Sequence, residues 1–323
     1  MRSFQHPLPG PAGEALHCDV AAIGPTDASA VHLLIAGTHG VEGFLGSAVL
    51  TDLLLQAPTS NVRMLLVHGI NPWGYANLSR FTENNVDLNR NFIDFSAGVP
   101  GNDGYHRLHR AICPSEWTED SLAAFRAALV QHDFEHGAGK GLDATLRGQY
   151  SHTDGFNFGG TGPEWSHLCL RSICDDMVGD AEAVLVTDWH TGLGKRAENV
   201  IIPYAPGGQL ESRTMMRFGL GNVVPVQGFP AYTGLVTEGV RRFVPHASVV
   251  GLLVEFGIDD DPWVNVDGLR YDRWLRFGDS GGIDIDKARA GLRDLYCPPD
   301  ASWRRSAIED ARRLNMHIAK AAQ

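Results

Sequence analysis

Four short apolar runs, each leading to polar residues at or just after its end, constrain the fold of this chain most strongly. The runs are residues 31–36, 63–68, 183–187 and 249–255. Near-continuous apolar runs of this length are typical of strands buried on both faces of a helix-covered sheet. The polar residues at or just after the ends of these runs are His39, Glu42, Asn71, Asp188, His190 and Glu255. Because ligands of open α/β folds bind outside the carboxyl ends of strands, we expect these side chains to converge.

The segments between these runs predict helices. Residues 43–58 have apolar residues at helical spacing and close with Pro58, which predicts a β-α-β unit. Helices are also predicted over 121–135 and 302–322. The sequence therefore predicts an α/β fold with a central mixed, mostly parallel twisted sheet flanked by helices. We expect one domain over 1–323, with an insertion or lid around 97–180 and a C-terminal helical extension over 258–323.

Composition and charge argue against several kinds of partner. The net charge is −11 and Lys and Arg do not cluster beyond pairs, which disfavours nucleic acid. No apolar stretch reaches the roughly 20 residues that cross a bilayer, so no membrane association is expected. The first 20 residues lack the apolar core of a secretory signal, and the five cysteines form no CxxC pair. These features predict a cytoplasmic protein.

His39 and Glu42 form the first candidate for a metal site. A histidine and a carboxylate three residues apart reach one ion when the backbone turns between them, and three nearby glycines permit such a turn. The HxxE pattern alone is weak, because a second copy, from His132 to Glu135, lies in a predicted helix that no strand precedes. We interpret the second copy as a solvated helix face.

His190 is the candidate third ligand. It follows the apolar run 183–187 and precedes the glycine pair of TGLG, which predicts a strand-end turn like that of His39. An isolated histidine in such a place is more often buried and bonded to the backbone, but its position relative to His39 and Glu42 favours a ligand. Two imidazoles and a carboxylate with an open position suit zinc, one ion per chain. His32 lies within a predicted strand, and we interpret it as a core or surface residue.

Several charged residues have candidate roles around this ion. Glu255 ends an apolar run, where it is either a structural ion-pair partner or a general base that deprotonates water beside a metal. Arg90 with Asn89 would hold a substrate carboxylate, and Arg80 would stabilise a developing oxyanion, although either arginine alone is equally well explained as solvated. Asp87 would orient the far nitrogen of a metal-bound histidine.

The order HxxE, Arg, DxNR, His and Glu resembles that of the zinc carboxypeptidase family and its succinylglutamate desuccinylase/aspartoacylase relatives. The chain also resembles an uncharacterised bacterial branch of that clan in the stretches GTHGVEG, NPWGYANLSRFTENNVDLNRNF, GQYSHTDGFNFGG and DWHTGLG. The resemblance spans roughly residues 31–257. It implies a carboxypeptidase fold with a central mixed sheet of about eight strands.

The resemblance also implies roles for single residues. Zinc would be bound by His39, Glu42 and His190. Arg80 would polarise the substrate carbonyl, Glu255 would be the general base and acid, and the remaining residues would support His39 or bind substrate: Asp87, Asn89 and Arg90. Tyr232 is the candidate for the substrate-side tyrosine of the family, although no motif surrounds it. About a hundred residues separate Arg90 from His190, which is longer than in digestive carboxypeptidases and predicts an insertion that reshapes the pocket.

Three functions are compatible with this pattern. The first is a carboxypeptidase-like hydrolase that acts on a small peptide, and the second is an N-acyl amino acid deacylase. The third is an inactive binding module on the same fold, which predicts the loss of a ligand, base or carboxylate-binding residue, and the sequence lacks none of them. The glycine- and aromatic-rich segment 137–165 would separate the first two, because a segment that closes over the site admits only small acyl amino acids.

Overall fold

The computed structural model describes residues 1–56, 61–203 and 230–321, the last four through their backbone alone. Seven strands within these residues form one sheet: β1 (Arg2–Pro9), β2 (Ala15–Ile23), β3 (Ala30–Ala36), β4 (Arg63–His68), β5 (Ala183–Arg196), β6 (Asn199–Pro203) and β7 (Ser248–Gly257). Their order in the sheet is β1-β2-β4-β3-β5-β7-β6.

The sheet is mixed, as the sequence predicts. Its four central strands, β4, β3, β5 and β7, pair in parallel, whereas the three remaining pairings are antiparallel. The described residues thus hold seven strands rather than about eight, and parallel pairing is confined to the centre. The apolar runs predicted only these central strands because they are buried on both faces. Strand β2 alternates between exposed and buried residues and gives no such run.

Ten helices of the described residues flank this sheet: α1 (Gly43–Gln56), α2 (Pro72–Ala76), α3 (Asp103–Ile112), α4 (Glu119–His136), α5 (Lys140–Leu146), α6 (Trp165–Met177), α7 (Val236–Phe243), α8 (Pro262–Phe277), α9 (Ile285–Tyr296) and α10 (Ala301–Ala321). The predictions of α1, α4 and α10 are confirmed. None of these helices has both the length and the apolar character that a membrane span requires.

Two apolar layers hold the helices against the sheet. Leu34 of β3 faces a core that includes side chains of α1, α4, α8 and α10. Its neighbours Leu33 and Ile35 face the opposite core, which contains Ile173 of α6 and Val240 of α7. Successive residues of a strand point to opposite faces, so one continuous apolar run supplies both layers. This packing fixes the strands whose ends carry the candidate site.

The second HxxE copy lies in α4, and its predicted solvation is wrong at His132. Glu135 is exposed, but His132 is only 7% exposed. Helix α4 packs against α3 near Gly104, where an added Cβ would come within 3.4 Å of His132 Nε2. Because a glycine leaves room at that crossing, the imidazole is covered by the neighbouring helix.

His32 should make the fold sensitive to acid. It is buried in β3 with Nε2 2.9 Å from Thr187 Oγ1, and burial lowers its pKa from an ordinary 6.5 to about 3. The unfolded chain therefore binds a proton that the folded chain excludes, so the free energy of unfolding falls as the pH drops from about 6.5 to about 3. Each pKa unit corresponds to about 1.4 kcal/mol.

Urea denaturation between pH 8 and pH 4 measures this effect. The difference in unfolding free energy between wild type and His32→Gln should shrink towards acid, because only the wild type loses the contribution of His32. A difference that stays constant over this range would show that His32 does not cause the loss of stability in acid.

Candidate metal centre

A tight turn after β3 brings His39 and Glu42 together. The strand ends at Ala36, Gly37 follows with a φ of 80°, and the 3-10 turn Gly40–Glu42 leads into α1. At Gly40 an added Cβ would lie 2.0 Å from the carbonyl carbon of Gly74, so any side chain would displace backbone. The glycines thus permit the close approach that places both side chains in the site.

His190 and Glu255 come from neighbouring parallel strands. They are register partners on β5 and β7 and lie in the same cavity. The predicted strand-end turn at His190 is wrong, because β5 continues to Arg196. Gly192 and Gly194 adopt positive φ values of 150° and 104°, and the register shifts beyond Gly192, so these glycines bend the strand rather than end it.

Three buried side chains converge in the site. His39 Nδ1 lies 3.1 Å from Glu42 Oε1 and 3.1 Å from His190 Nδ1. His190 Nδ1 lies 3.0 Å from Glu42 Oε2. All three residues are at most 4% exposed. Tetrahedral zinc with bonds of about 2.0–2.1 Å to nitrogen or oxygen would separate its ligand atoms by about 3.3 Å, close to the observed spacing.

Each imidazole meets a carboxylate at its far nitrogen. His39 Nε2 lies 2.9 Å from Asp87 Oδ1, the contact that the predicted role of Asp87 requires. His190 Nε2 lies 2.8 Å from Asp188 Oδ2, a contact that is close but too bent for an aligned hydrogen bond. Thr38 Oγ1 donates to Asp188 Oδ1 over 2.7 Å and fixes this carboxylate. The role of Asp188 escaped the sequence reasoning, although its i, i+2 spacing from His190 in a strand places both side chains on one face.

These partners determine which nitrogens carry protons. A carboxylate at Nε2 favours the tautomer with the proton on Nε2, which leaves the Nδ1 lone pair of each ring free. Two such lone pairs and the carboxylate of Glu42 then face one another inside a buried site. These electron-rich groups repel one another unless a cation lies between them. The donor set therefore fits a divalent ion, and two imidazoles with one carboxylate suit zinc.

The charges of the site also favour a cation between these residues. Burial opposes ionisation of Glu42, but His39 and Arg80 hold its pKa well below the ordinary value. Burial likewise opposes a charge on His190, but Asp188 and Glu42 raise its pKa well above the ordinary value. The surrounding carboxylates thus stabilise positive charge between these residues.

Arg80 is buried between two carboxylates. Its Nη1 donates to Glu42 Oε1 over 2.5 Å, and its Nη2 donates to Asp87 Oδ2 over 3.1 Å. These carboxylates raise its pKa against the opposing effect of burial. Its backbone N–H donates to Asp272 Oδ2 over 2.6 Å, which anchors the segment. Arg80 lines the same cavity as Glu255.

Asn89, Arg90 and Tyr232 form one wall of the cavity. Asn89 Oδ1 accepts from the backbone N–H of Val236 over 2.9 Å, and no partner is found for its Nδ2 within the described residues. Arg90 donates to the carbonyls of Asn89 and Leu146, and its Cζ lies 4.4 Å from the ring centroid of Tyr232. The structure therefore brings all three predicted substrate-binding residues to the candidate site, with Tyr232 stacked on Arg90.

Glu255 faces the cavity from β7. It is 7% exposed, and its Oε2 accepts from the backbone N–H of Leu193 over 3.3 Å. Burial raises its pKa to about 7, with a further increase from Glu42 and an opposing effect of His190. A carboxylate with such a pKa is able both to take up and to release a proton near neutral pH.

The segment 137–165 forms another part of the cavity wall. It contributes Leu146 and Asn157, and the cavity is also lined by apolar side chains of β7 and α8, namely Leu253, Val266 and Leu269. The segment is ordered by its own contacts, since the backbone of Gln149 bonds to both Asn157 and Gly159. One end of the cavity is thus polar and holds the candidate ligands, and the adjoining wall is apolar.

Comparison with known families identifies the chain's relatives. The sequence matches the family described as "Protein of unknown function (DUF2817)" over residues 1–310. The chain belongs to this family. No curated protein sequence matches it.

Solved structures also resemble the chain at low sequence identity. One is a succinylglutamate desuccinylase from Chromobacterium violaceum, with 16% identity, a TM-score of 0.39 and coverage of 93% of this chain and 72% of the other. A succinylglutamate desuccinylase/aspartoacylase from Rhodobacter sphaeroides has 13% identity, a TM-score of 0.42 and coverage of 85% and 64%. A murein-tripeptide amidase from Escherichia coli O157 has 15% identity, a TM-score of 0.37 and coverage of 93% and 94%.

Proposed function

We propose that this protein is a zinc-dependent hydrolase that cleaves an amide bond next to a free carboxylate. The observation that carries the proposal is the convergence of His39 Nδ1, the Glu42 carboxylate and His190 Nδ1, spaced 3.0–3.1 Å apart, beside Glu255 in one cavity. Three protein ligands with an open side are the pattern of catalytic rather than structural zinc. The inactive binding module lacks a specific observation in its favour, because the ligands and the candidate base lie together.

Glu255 is the proposed general base and acid. When bound, zinc supplies Lewis acidity that polarises the scissile carbonyl and lowers the pKa of water to about 7. Glu255 takes a proton from the water that adds to the carbonyl carbon, and it returns that proton to the amide nitrogen as the C–N bond breaks. Its register position opposite His190 supports this role. The products are a carboxylic acid and an amine.

Arg80 has one proposed role, and the wall formed by Asn89, Arg90 and Tyr232 has another. Arg80, held between Glu42 and Asp87, stabilises the oxyanion that develops on the carbonyl oxygen. Arg90 and the Nδ2 group of Asn89 bind the free carboxylate of the substrate. Tyr232, stacked on Arg90, completes the substrate side of the cavity.

One observation favours small acyl amino acids as the second candidate class of substrate. Leu146 and Asn157 of the 137–165 segment wall the cavity, and Arg90 donates to the carbonyl of Leu146. A wall beside Arg90 limits the size of the substrate part that carries the carboxylate, which suits a single amino acid. An N-acyl amino acid deacylase therefore shares the proposed site with a carboxypeptidase-like enzyme.

A hydrolysis panel tests the proposal and separates these classes. The zinc-loaded protein is incubated with peptides that have a free C-terminus, with N-acyl amino acids and with C-terminally amidated forms of both. The proposal expects cleavage of at least one of the first two classes and little cleavage of amidated forms. Equal cleavage of amidated and free forms would remove the carboxylate requirement.

Arg90→Ala should raise KM for substrates with a free carboxylate by about 10- to 100-fold, the cost of a lost hydrogen bond to a charged group. The KM for the matched carboxamides should change far less. The two substrate types can therefore be compared on the same variant. Arg107→Ala replaces an exposed arginine of α3 and serves as the control. Similar changes in KM for both substrate types would contradict the proposed role of Arg90.

A further inference from the structure

A second group of histidines lies outside the cavity. His106 and His109 occupy positions i and i+3 of α3 and therefore lie on one helix face. His152 and Asp154 lie in the loop after α5. His106 Nδ1 lies 3.0 Å from His152 Nε2, and the rings of His109 and His152 stack with centroids 3.9 Å apart. One ligand atom from each of His109, His152 and Asp154 lies within 4.8 Å of the others.

We propose that His106, His109, His152 and Asp154 form a second binding site for a divalent transition-metal ion, with zinc as the expected occupant. Three imidazoles and one carboxylate are a donor set typical of zinc, and the 3.0 Å between His106 Nδ1 and His152 Nε2 is close to the spacing of two ligand atoms on one ion. Four protein ligands would fill all four coordination positions of the ion, which is typical of a structural zinc site. The proposal does not depend on the proposed hydrolase function.

His109 is available as a ligand near neutral pH. Burial and the neighbouring His152 lower the pKa of His109 to about 4, so its ring is neutral and keeps a free lone pair. The terminal torsion of histidine is broad, so modest rotations turn the stacked rings towards a common centre. Asp154 shares its Oδ2 with Arg273 Nη2 at 3.2 Å, but its side chain is 55% exposed and has a second oxygen.

An ion at this site would join α3 to the loop that leads into the cavity wall. The side chain of Gln149 accepts from the backbone N–H of His152, and Phe156 donates its N–H to the hydroxyl of Tyr105 on α3. Asn157, the next residue, lines the cavity. We therefore expect the second ion to rigidify this loop and to raise the Tm, rather than to take part in the reaction.

The number of bound ions tests the proposal directly. The metal-free protein is equilibrated with zinc, desalted and analysed for metal by mass spectrometry. Wild type and His17→Ala, which removes an exposed histidine of β2, should each hold about two ions per chain, whereas His152→Ala should hold about one. His106→Ala, which removes another of the four proposed ligands at an exposed position, should likewise hold about one ion per chain.

Further variants keep this result separate from the proposed function. His190→Ala should retain the second ion, and adding His152→Ala should remove it, whatever the activity of the protein. The visible absorption of Co²⁺ reports the same loss of imidazole ligands, and circular dichroism of the metal-free variants checks their folding. If His152→Ala and His106→Ala bind as much zinc or Co²⁺ as wild type, with unchanged spectra, the second site does not exist.

Discussion

Glu255→Gln should lower kcat by about 100- to 10,000-fold, the usual contribution of general acid-base catalysis, while the zinc content and Tm stay unchanged. Glutamine keeps the size of the side chain and can still contact the N–H of Leu193, but it cannot accept the proton of the attacking water. Because Glu255 contributes none of the converging donor atoms, metal binding should not depend on it. Turnover with saturating substrate and metal analysis measure the two effects.

Glu182→Gln is the matched control, because it makes the same change at an exposed position beside β5. It should leave both turnover and metal content unaltered. A Glu255→Gln enzyme that retains the wild-type rate would exclude Glu255 as the base. One that loses zinc together with activity would instead indicate that Glu255 is a ligand.

His190→Ala should remove one zinc ion per chain and reduce hydrolysis to background. It deletes one of three ligands from a buried site and leaves the carboxylates of Glu42 and Asp188 facing an empty volume. Zinc stabilises a folded protein only where it binds, so the rise in Tm with zinc should be smaller than in wild type by the contribution of this ion. Thermal unfolding at several zinc concentrations measures the difference.

His17→Ala provides the control for nonspecific loss of imidazole, and circular dichroism checks that His190→Ala folds. A variant that folds, binds zinc with wild-type affinity at this site and hydrolyses substrate normally would contradict the role of His190. Asp188→Asn gives a milder test, because a partner of a ligand is worth about 10- to 100-fold in metal affinity.

The sequence predicted the centre of the fold because the central strands are buried on both faces. A strand such as β3 needs six nearly consecutive apolar residues, and such a run is visible without a structure. Parallel strands also place their carboxyl ends on one edge, so His39, Glu42 and Glu255 were expected to meet before any distance was known. The antiparallel strands β1, β2 and β6 were missed, because edge strands and half-buried strands mix polar and apolar residues.

The sequence predictions were wrong or incomplete where a short motif is compatible with more than one structure. The glycines after His190 predicted a turn, but the pairing of β5 with β7 continues past them, and tertiary pairing is not encoded in a short motif. Asp188 received no role, because a carboxylate next to an apolar run is equally consistent with an exposed strand end. His132 was expected to be solvated, since nothing in its own helix shows that α3 covers it.

Anomalous diffraction from zinc-loaded crystals would show whether His39, Glu42 and His190 bind one zinc ion. Data collected above and below the zinc absorption edge locate the ion without assumptions about its ligands. The proposed metal centre should give a peak about 2.0–2.2 Å from His39 Nδ1, from a carboxylate oxygen of Glu42 and from His190 Nδ1, with Glu255 beside it in the cavity. A fully zinc-loaded crystal with no peak between these three residues, or with the His190 ring turned away from the other two, would contradict it.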